Sequence, residues 1–485
     1  MNFVTSIGLL MNQPIINTDT YKTTHWTFEH PEFERQYGYL EARKGGAFKE
    51  VQWFGFQYIL SYFLSQRITH EMIDEAVAEL AAHGVECHES MWRRVVDYFG
   101  GIPPLTIKAL PEGIIVPQGT VLATVESTDP ECAGLAVYFE TLLMRVWYPT
   151  TIATRSMRWW RLIHEYLTVS GNPDTTDFKM VDFGARGAAS TEAAAIGGMA
   201  HLLNFQVTDN LMGIRFAKHA YPMDAMPGFS IPATEHSVTT SWGAENEKAF
   251  FQHILKVHGR WGEDGPRNPV SVVIDTYDQD NAIRMWLTPE AEGGLLGELQ
   301  RSNMQLVLRP DSGDPIINVV HILDLVGSLV GSTTNEKGYR VLPDFVRIIQ
   351  GDGINEETLR RILQRVVYHK WSIDNLTFGS GGGLLVHAAE RDTHRFAMKA
   401  SEVIIGGEVR EIQKTVKTDP TKASKKGRFA VVIREGKVVT ISQDELGEDE
   451  DDLLDVVWDH GLMWPTGFTE VREMGARFRS LPAAA

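Results

Sequence analysis

Gln305-Leu306-Val307-Leu308-Arg309-Pro310-Asp311-Ser312-Gly313-Asp314 opens as a short apolar run of β type and stops in a polar turn. Arg309, Asp311 and Asp314 bring charge to that turn, and Pro310, Ser312, Gly313 and Pro315 shape it. The apolar periodicity from Ile316 to Leu329 predicts a helix directly afterwards. A buried strand that ends in charged residues and feeds a helix is one βα unit of a parallel sheet. Chemistry in such folds gathers at the carboxyl ends of the strands.

The pattern recurs on both sides. Met180-Val181-Asp182-Phe183 runs into Gly184-Ala185-Arg186-Gly187, and Phe229 to Pro232 ends at Glu235-His236-Ser237. Val270 to Ile274 ends at Asp275, Val346 to Gln350 ends in Gly351-Asp352-Gly353, and Leu376 to Phe378 runs into Gly379-Ser380-Gly381-Gly382-Gly383. From Asp275 onward the strand ends are spaced by about one βα module. The expected fold class is α/β: an irregular βα, TIM-like barrel over residues 146–385, with a second mixed α+β domain from both chain ends, 1–145 together with 386–485. In that second domain Gln36 to Ala42 reads as a strand, Phe54 to Leu64 as an amphipathic helix and Ile102 to Val125 as a small β-structure. Residues 130–168 read as helical, with Trp147, Trp159 and Trp160 as packing. Ala397 to Ile433 returns to short strands carrying Lys399, Lys414, Lys417, Lys422, Lys425, Lys426 and Arg428.

A length of 485 residues predicts two or three domains. No apolar stretch approaches the roughly 20 residues of a membrane span, and no basic region precedes the short N-terminal apolar patch, so neither a membrane partner nor a signal peptide is expected. Cys87 and Cys132 are the only cysteines, which excludes a disulfide framework and suits a cytoplasmic location. A net charge of −17 argues against a nucleic-acid partner. The acidic run Glu448 to Asp452 reads as a solvated loop or helix start.

Asp275, Asp311 and Asp352 each follow an apolar run. Such residues can merely cap the next helix, but three at successive strand ends are expected to share a rim, holding a divalent cation or ribose hydroxyls. The two glycine loops are either tight turns or exposed amides that meet phosphate oxygens, helped by the following helix N-terminus. His236, beside Glu235 at a strand end, is a candidate nucleophile or general base as well as a plain packing residue. His83, Cys87 and His88 lack the further ligands a metal site needs. Arg43, Arg391, Lys399 and Lys414 are single surface charges or, together, a lid that neutralises a polyphosphate. The residues alone point to a phosphorylated sugar, magnesium and a barrel rim; aldolase, isomerase and phosphoribosyl transfer all fit.

Thr18-Asp19-Thr20-Tyr21-Lys22, Asp182 to Gly187, Pro232 to Ser237, Arg309 to Gly313, Gln350 to Gly353, Phe378 to Leu385 and Ser424 to Arg428 closely resemble, in order, the nicotinamide phosphoribosyltransferases of the nicotinate/nicotinamide family. The resemblance implies transfer of ribose 5-phosphate from phosphoribosyl pyrophosphate to nicotinamide by a type II enzyme, a homodimer with sites at its interface. The paired acids and Thr-Gly turn of type I enzymes are lacking. It further implies that Phe183 and a partner's Tyr21 sandwich the pyridine ring, that Asp209 accepts from the carboxamide, and that Arg186 and Arg309 line the ring and ribose, with Ser271 in the same substrate-binding set. Asp275 and Asp311 would hold ribose hydroxyls and Mg2+; Gly351, Asp352, Gly381 and Gly382 the ribose and its 5-phosphate; Arg43, Arg391, Lys399 and Lys414 the phosphate and pyrophosphate. His236 matches a histidine that ATP phosphorylates, coupling hydrolysis to transfer. Val207 stands where relatives usually carry glycine and Ala397 where a serine often holds phosphate; one extra residue falls between Gly383 and Arg391. Competing readings are a nicotinate-specific enzyme, which Asp209 disfavours, a mononucleotide sensor, and an aldolase, for which no strand-end lysine is present.

Overall fold

The structure, a computed structural model, describes residues 13–262, 265–415 and 424–479. The chain divides into two compact units: Met1–Thr154 with Ala217–Asp224 and Ala388–Ala485, and Arg155–Phe216 with Ala225–His387. The architecture is mixed α/β, with a parallel half-barrel sheet in the second unit and an antiparallel sheet from both chain ends in the first.

In the second unit the strands are β1 (Met180–Asp182), β2 (Asn268–Val273), β3 (Met304–Arg309), β4 (Val346–Gln350) and β5 (Leu376–Ser380). All pairings are parallel, in the order β1-β5-β4-β3-β2. Isolated parallel bridges continue both edges, joining Asp182 to Thr208, Val207 to Phe229 and Ala233 to Ser271.

The turn after β3 shows how the local sequence builds one unit. Gly313 adopts φ 85°, a conformation that costs a residue without Cβ little. Asp314 then caps helix α2 (Pro315–Val330), its Oδ1 accepting from the Ile316 N–H at 2.9 Å, a contact typically worth ~1 kcal/mol. Pro315 at the first helical position gives up no bond that the helix needs. Val319, Ile322, Leu323 and Val326, at helical spacing, are buried.

Side chains alternate along a strand, so one face of each parallel strand turns to a common interior. From β3 these are Gln305, Val307 and Arg309; flanking and within β1 they are Lys179, Val181 and Phe183; from β4, Arg347 and Ile349. Val181, Val307 and Ile349 form a buried cluster against which Phe183, Val207 and Ile231 pack.

The first unit holds a six-stranded sheet in the order 408–411, 396–405, 33–42, 121–127, 105–109, 455–459. Phe54 to Leu64 is not one regular helix: Gly55 at φ 94° precedes an α-helical turn, Phe56–Ile59, that widens into a π-helical turn, Leu60–Leu64. The 130–168 stretch is likewise four short helical pieces before the long helix Trp147–Ser170. The acidic run is a loop, but not simply a solvated one. Glu450 forms a two-pronged pair with Arg434, at 2.7 and 2.8 Å, and Asp452 accepts from the Val431 and Leu454 N–H groups.

Candidate active site

The C-terminal ends of β2 and β3 are tied by one carboxylate. Asp275 is 6 % exposed, and its Oδ2 accepts from the Asp311 N–H at 3.0 Å and from Ser312 Oγ at 2.5 Å. Its Oδ1 is buried without a hydrogen-bond partner. His236 opens helix α1 (His236–Trp242) across this turn. Its Nδ1 lies 3.0 Å from Thr276 Oγ1, while Nε2 faces Asp311 Oδ2 at 3.5 Å and Asp275 Oδ1 at 3.9 Å. Arg309 reaches back to the Thr234 carbonyl at 2.5 Å. Asp275, Asp311, Arg309 and His236 therefore converge as expected for one rim. Asp352 does not join them: it is exposed on the loop after β4, and no contact links its carboxylate to the group.

Beneath this rim lies a cavity of about 430 Å³ inside the second unit. Phe183, Asp209, Ser230, Ser271 and Arg309 line it on the side of the strand C-termini, and Lys179, Gln305 and Arg347 on the other. Ser271 Oγ and Arg309 Nε are buried donors without a protein partner. Unpaired buried polar groups are costly, so groups of this kind mark a place where a ligand can complete the bonding. Asp209 is exposed, and its carboxylate accepts from Ser230 Oγ. Arg186 is exposed on the turn Ala185–Gly187.

Two glycines, Gly351 after β4 and Gly379 in β5, face the Phe183 ring. A Cβ at Gly379 would lie 2.0 Å from Phe183 Cε2, and one at Gly351 would lie 2.9 Å from the same atom. Both residues are small because the Phe183 ring occupies the space. The loop after β4 does lead to a helix, α3 (Glu356–Tyr368), but the Asn355 side chain already accepts from the Glu357 and Thr358 amides. Beyond β5 the helix α4 (Gly382–Leu385) has one turn. Gly381 and Gly382 remain open, with nothing within 4 Å of a Cβ at Gly382.

In the first unit Tyr21 is 56 % exposed on the short helix Thr20–Thr23. The adjacent Lys22 is buried and pairs with Glu140, whose other oxygen lies 3.8 Å from Lys399 Nζ. Burial lowers the Lys399 pKa; Glu140 opposes that shift, and Arg43, Lys22 and Lys414 add to it. Arg43, Lys399 and Lys414 thus form one basic group, together with Lys22 and Glu140, which sequence reading missed. Arg391 pairs instead with its neighbour Asp392 at 2.8 Å. Lys417 and Lys422 lie outside the described residues.

Lys179 and Arg347 were also missed. Burial pushes the Lys179 amine down to about 8 and lowers the Arg347 pKa as well. Lys179 Nζ donates to the Asp374 and Leu376 carbonyls, at 3.2 and 3.0 Å. Their two-residue spacing from Val181 and Ile349 was the available signal.

The Nicotinate phosphoribosyltransferase (NAPRTase) family model matches residues 178–451, more than half of the chain. The chain belongs to this family. A second model, for the nicotinamide phosphoribosyltransferase N-terminal domain, matches residues 13–107. The chain is 42% identical over 457 residues to a nicotinamide phosphoribosyltransferase of Xanthomonas campestris pv. campestris (strain 8004), covering 93% of this chain and 95% of that one. A nicotinamide phosphoribosyltransferase of Acinetobacter baylyi is 30% identical over 392 residues, 77% of this chain and 76% of its own. Among solved structures, nicotinate-nucleotide pyrophosphorylase from Pyrococcus furiosus aligns with TM-score 0.60 at 16% identity, over 97% of each chain. Human nicotinic acid phosphoribosyltransferase aligns with TM-score 0.55 at 16% identity, over 96% of this chain and 94% of its own. At that identity the two structures speak to the fold alone. Among the described residues no helix is long and apolar enough to cross a membrane.

Proposed function

We propose that this chain transfers ribose 5-phosphate from phosphoribosyl pyrophosphate to nicotinamide, giving nicotinamide mononucleotide and pyrophosphate in NAD salvage. The observation that carries the reading is the Asp209 carboxylate beside Phe183 at one cavity, in a chain 42% identical to a relative named for this activity. Stacking holds a flat, neutral ring with few hydrogen bonds. A carboxylate facing the ring substituent accepts from a carboxamide and repels the carboxylate of nicotinate, so selectivity has a repulsive part. Tyr21 of the partner subunit would close the second face of the ring in a homodimer.

Asp275 and Asp311 suit Mg2+. The unpaired Asp275 Oδ1 and the nearby Asp311 carboxylate offer oxygen ligands, and Mg2+ commonly takes one or two carboxylates plus substrate phosphates. Among the described residues no group of three or more His, Cys, Asp or Glu side chains is placed to hold a metal ion. When bound, the ion would neutralise charge on the departing pyrophosphate. Arg43, Lys399 and Lys414 would stabilise the same anion, while Arg309 and Ser271 orient the ribose and ring for in-line attack. The pyridine nitrogen is already nucleophilic and needs no general base. Thr276 occupies His236 Nδ1, leaving Nε2 as the atom that ATP would phosphorylate. The isolated bridges at both sheet edges support reading the second unit as an irregular βα barrel.

The test is product formation by purified protein with phosphoribosyl pyrophosphate and magnesium, offering nicotinamide or nicotinate, each with and without ATP. Mononucleotide is expected from nicotinamide, with a gain from ATP. Product mainly from nicotinate would overturn the Asp209 argument while sparing phosphoribosyl transfer.

A further inference from the structure

Asp182 ends β1 directly before Phe183 and is 0 % exposed. One carboxylate oxygen accepts from the Gly184 N–H at 2.7 Å, which ties the turn that carries Phe183. The other accepts from Asn210 Nδ2 at 2.9 Å, next in the chain to Asp209. The Asp182 carbonyl also accepts the Asp209 N–H at 3.1 Å. Asn210 is itself anchored, donating to the Ala194 carbonyl at 2.8 Å and accepting from the Gly213 N–H at 3.2 Å. A single buried side chain thus ties the backbone of the turn that bears the ring to the Asn210 side chain of the segment that bears the carboxylate lining the same cavity.

We propose that Asp182 is a positioning residue for base selection: it fixes the Asp209 carboxylate relative to the Phe183 ring without itself touching the base. The inference rests on the reading of Phe183 and Asp209 as the base-binding pair. A buried ionised carboxylate is costly unless hydrogen-bonded, and both of its oxygens are committed here. Burial raises its pKa to about 6, the two hydrogen bonds oppose that shift, and the Asp209 charge, from the 206–210 segment, adds to it. Asp209 is the charged group acting on it; the adjoining β5 pairs it with uncharged Ser380. Protonation replaces one acceptor oxygen by a donor, so the link weakens as pH falls through that value.

The experiment compares Asp182→Asn with the wild type and with Asp209→Asn and Phe183→Ala. KM for nicotinamide and for phosphoribosyl pyrophosphate, kcat, the nicotinamide-to-nicotinate preference and the thermal midpoint are measured. The asparagine keeps shape and an acceptor for Gly184 but turns an amide toward the Asn210 amide. The expected result is a nicotinamide KM raised about tenfold, equivalent to ~1.4 kcal/mol, and a preference lowered by a similar factor. The KM for phosphoribosyl pyrophosphate should stay unchanged, and the acid limb near pH 6 in kcat/KM for nicotinamide should be lost. A variant that only loses stability, or that lowers kcat without changing base preference, would overturn the proposal. If Asp209→Asn and Phe183→Ala also leave nicotinamide KM at the wild-type value, the base-binding reading itself fails. If those two raise it and Asp182→Asn does not, the positioning role alone fails.

Discussion

Replacing Gly379 by alanine tests whether the seat of the Phe183 ring sets affinity for the base. The new Cβ would stand 2.0 Å from Phe183 Cε2, 2.5 Å from Cδ2 and 2.8 Å from Cζ. Non-bonded carbons rest roughly 3.5–4.0 Å apart, so the ring must retreat by about 1.5–2 Å. Gly379 lies inside β5, paired in register with Val181, so the backbone is held and the ring is what yields. Overpacking of this kind costs about 1–3 kcal/mol. Spent wholly on ring binding, that is roughly a 5- to 150-fold rise in nicotinamide KM. The assay is the initial rate of mononucleotide formation against nicotinamide concentration at saturating phosphoribosyl pyrophosphate and magnesium. The decisive control repeats Gly379→Ala in a Phe183→Ala background, where the clash is gone and no further rise is expected. An equal penalty in both backgrounds, or a wild-type KM in the single variant, would refute the reasoning.

Asp209→Asn removes the repelling charge at the cavity, so the nicotinamide-to-nicotinate preference in kcat/KM should fall at least about tenfold; an unchanged ratio places selectivity elsewhere. Asp275→Asn removes an anionic acceptor of the Asp311 N–H and Ser312 Oγ. It should cost about 10²-fold or more in kcat and raise the magnesium requirement, read by titrating the metal in the rate assay. His201 is buried against the Met180 carbonyl and Ser156, and burial lowers its pKa to about 4. Its folded value lies below the unfolded one near 6.5, so the unfolded chain gains a proton first and stability is lost as pH falls from about 6.5 toward 4, by on the order of 3 kcal/mol. Asp182, with a raised value, contributes the opposite slope. The measurement is therefore the difference in urea unfolding between wild type and His201→Asn at pH 7 and pH 5, and a difference that does not change with pH contradicts the assignment.

The β3–α2 unit was legible because its causes are local. Apolar alternation, a Gly313 turn, an Asp314 cap and helical spacing sit within one short stretch. The convergence of Asp275, Asp311 and His236 followed from strand position, since parallel strands bring their carboxyl ends to one side. The helix expected over Phe54 to Leu64 is present from Phe56, but its π-helical turn was not legible, because the distinction between α- and π-helical turns depends on packing and periodicity over so few residues cannot separate them. The crowding of Gly351 and Gly379 by Phe183 was hidden for a related reason: composition registers that a Cβ is missing, but not what fills its place.

The sequence by itself determined the βα rhythm, the presence of strands at both chain ends, the rim carboxylates and, through ordered motifs, the family. These are properties of neighbours along the chain. Only the tertiary structure decided that Gly351 and Gly379 make room for Phe183, that Asp352 stays outside the Asp275–Asp311 pair, and that Lys22 and Glu140 join Lys399. It also decided that Asp182 spans the turns bearing Phe183 and Asp209. Each of those relations depends on how segments far apart in sequence are brought together or kept apart, set by strand order and side-chain volume, so no local pattern encodes it.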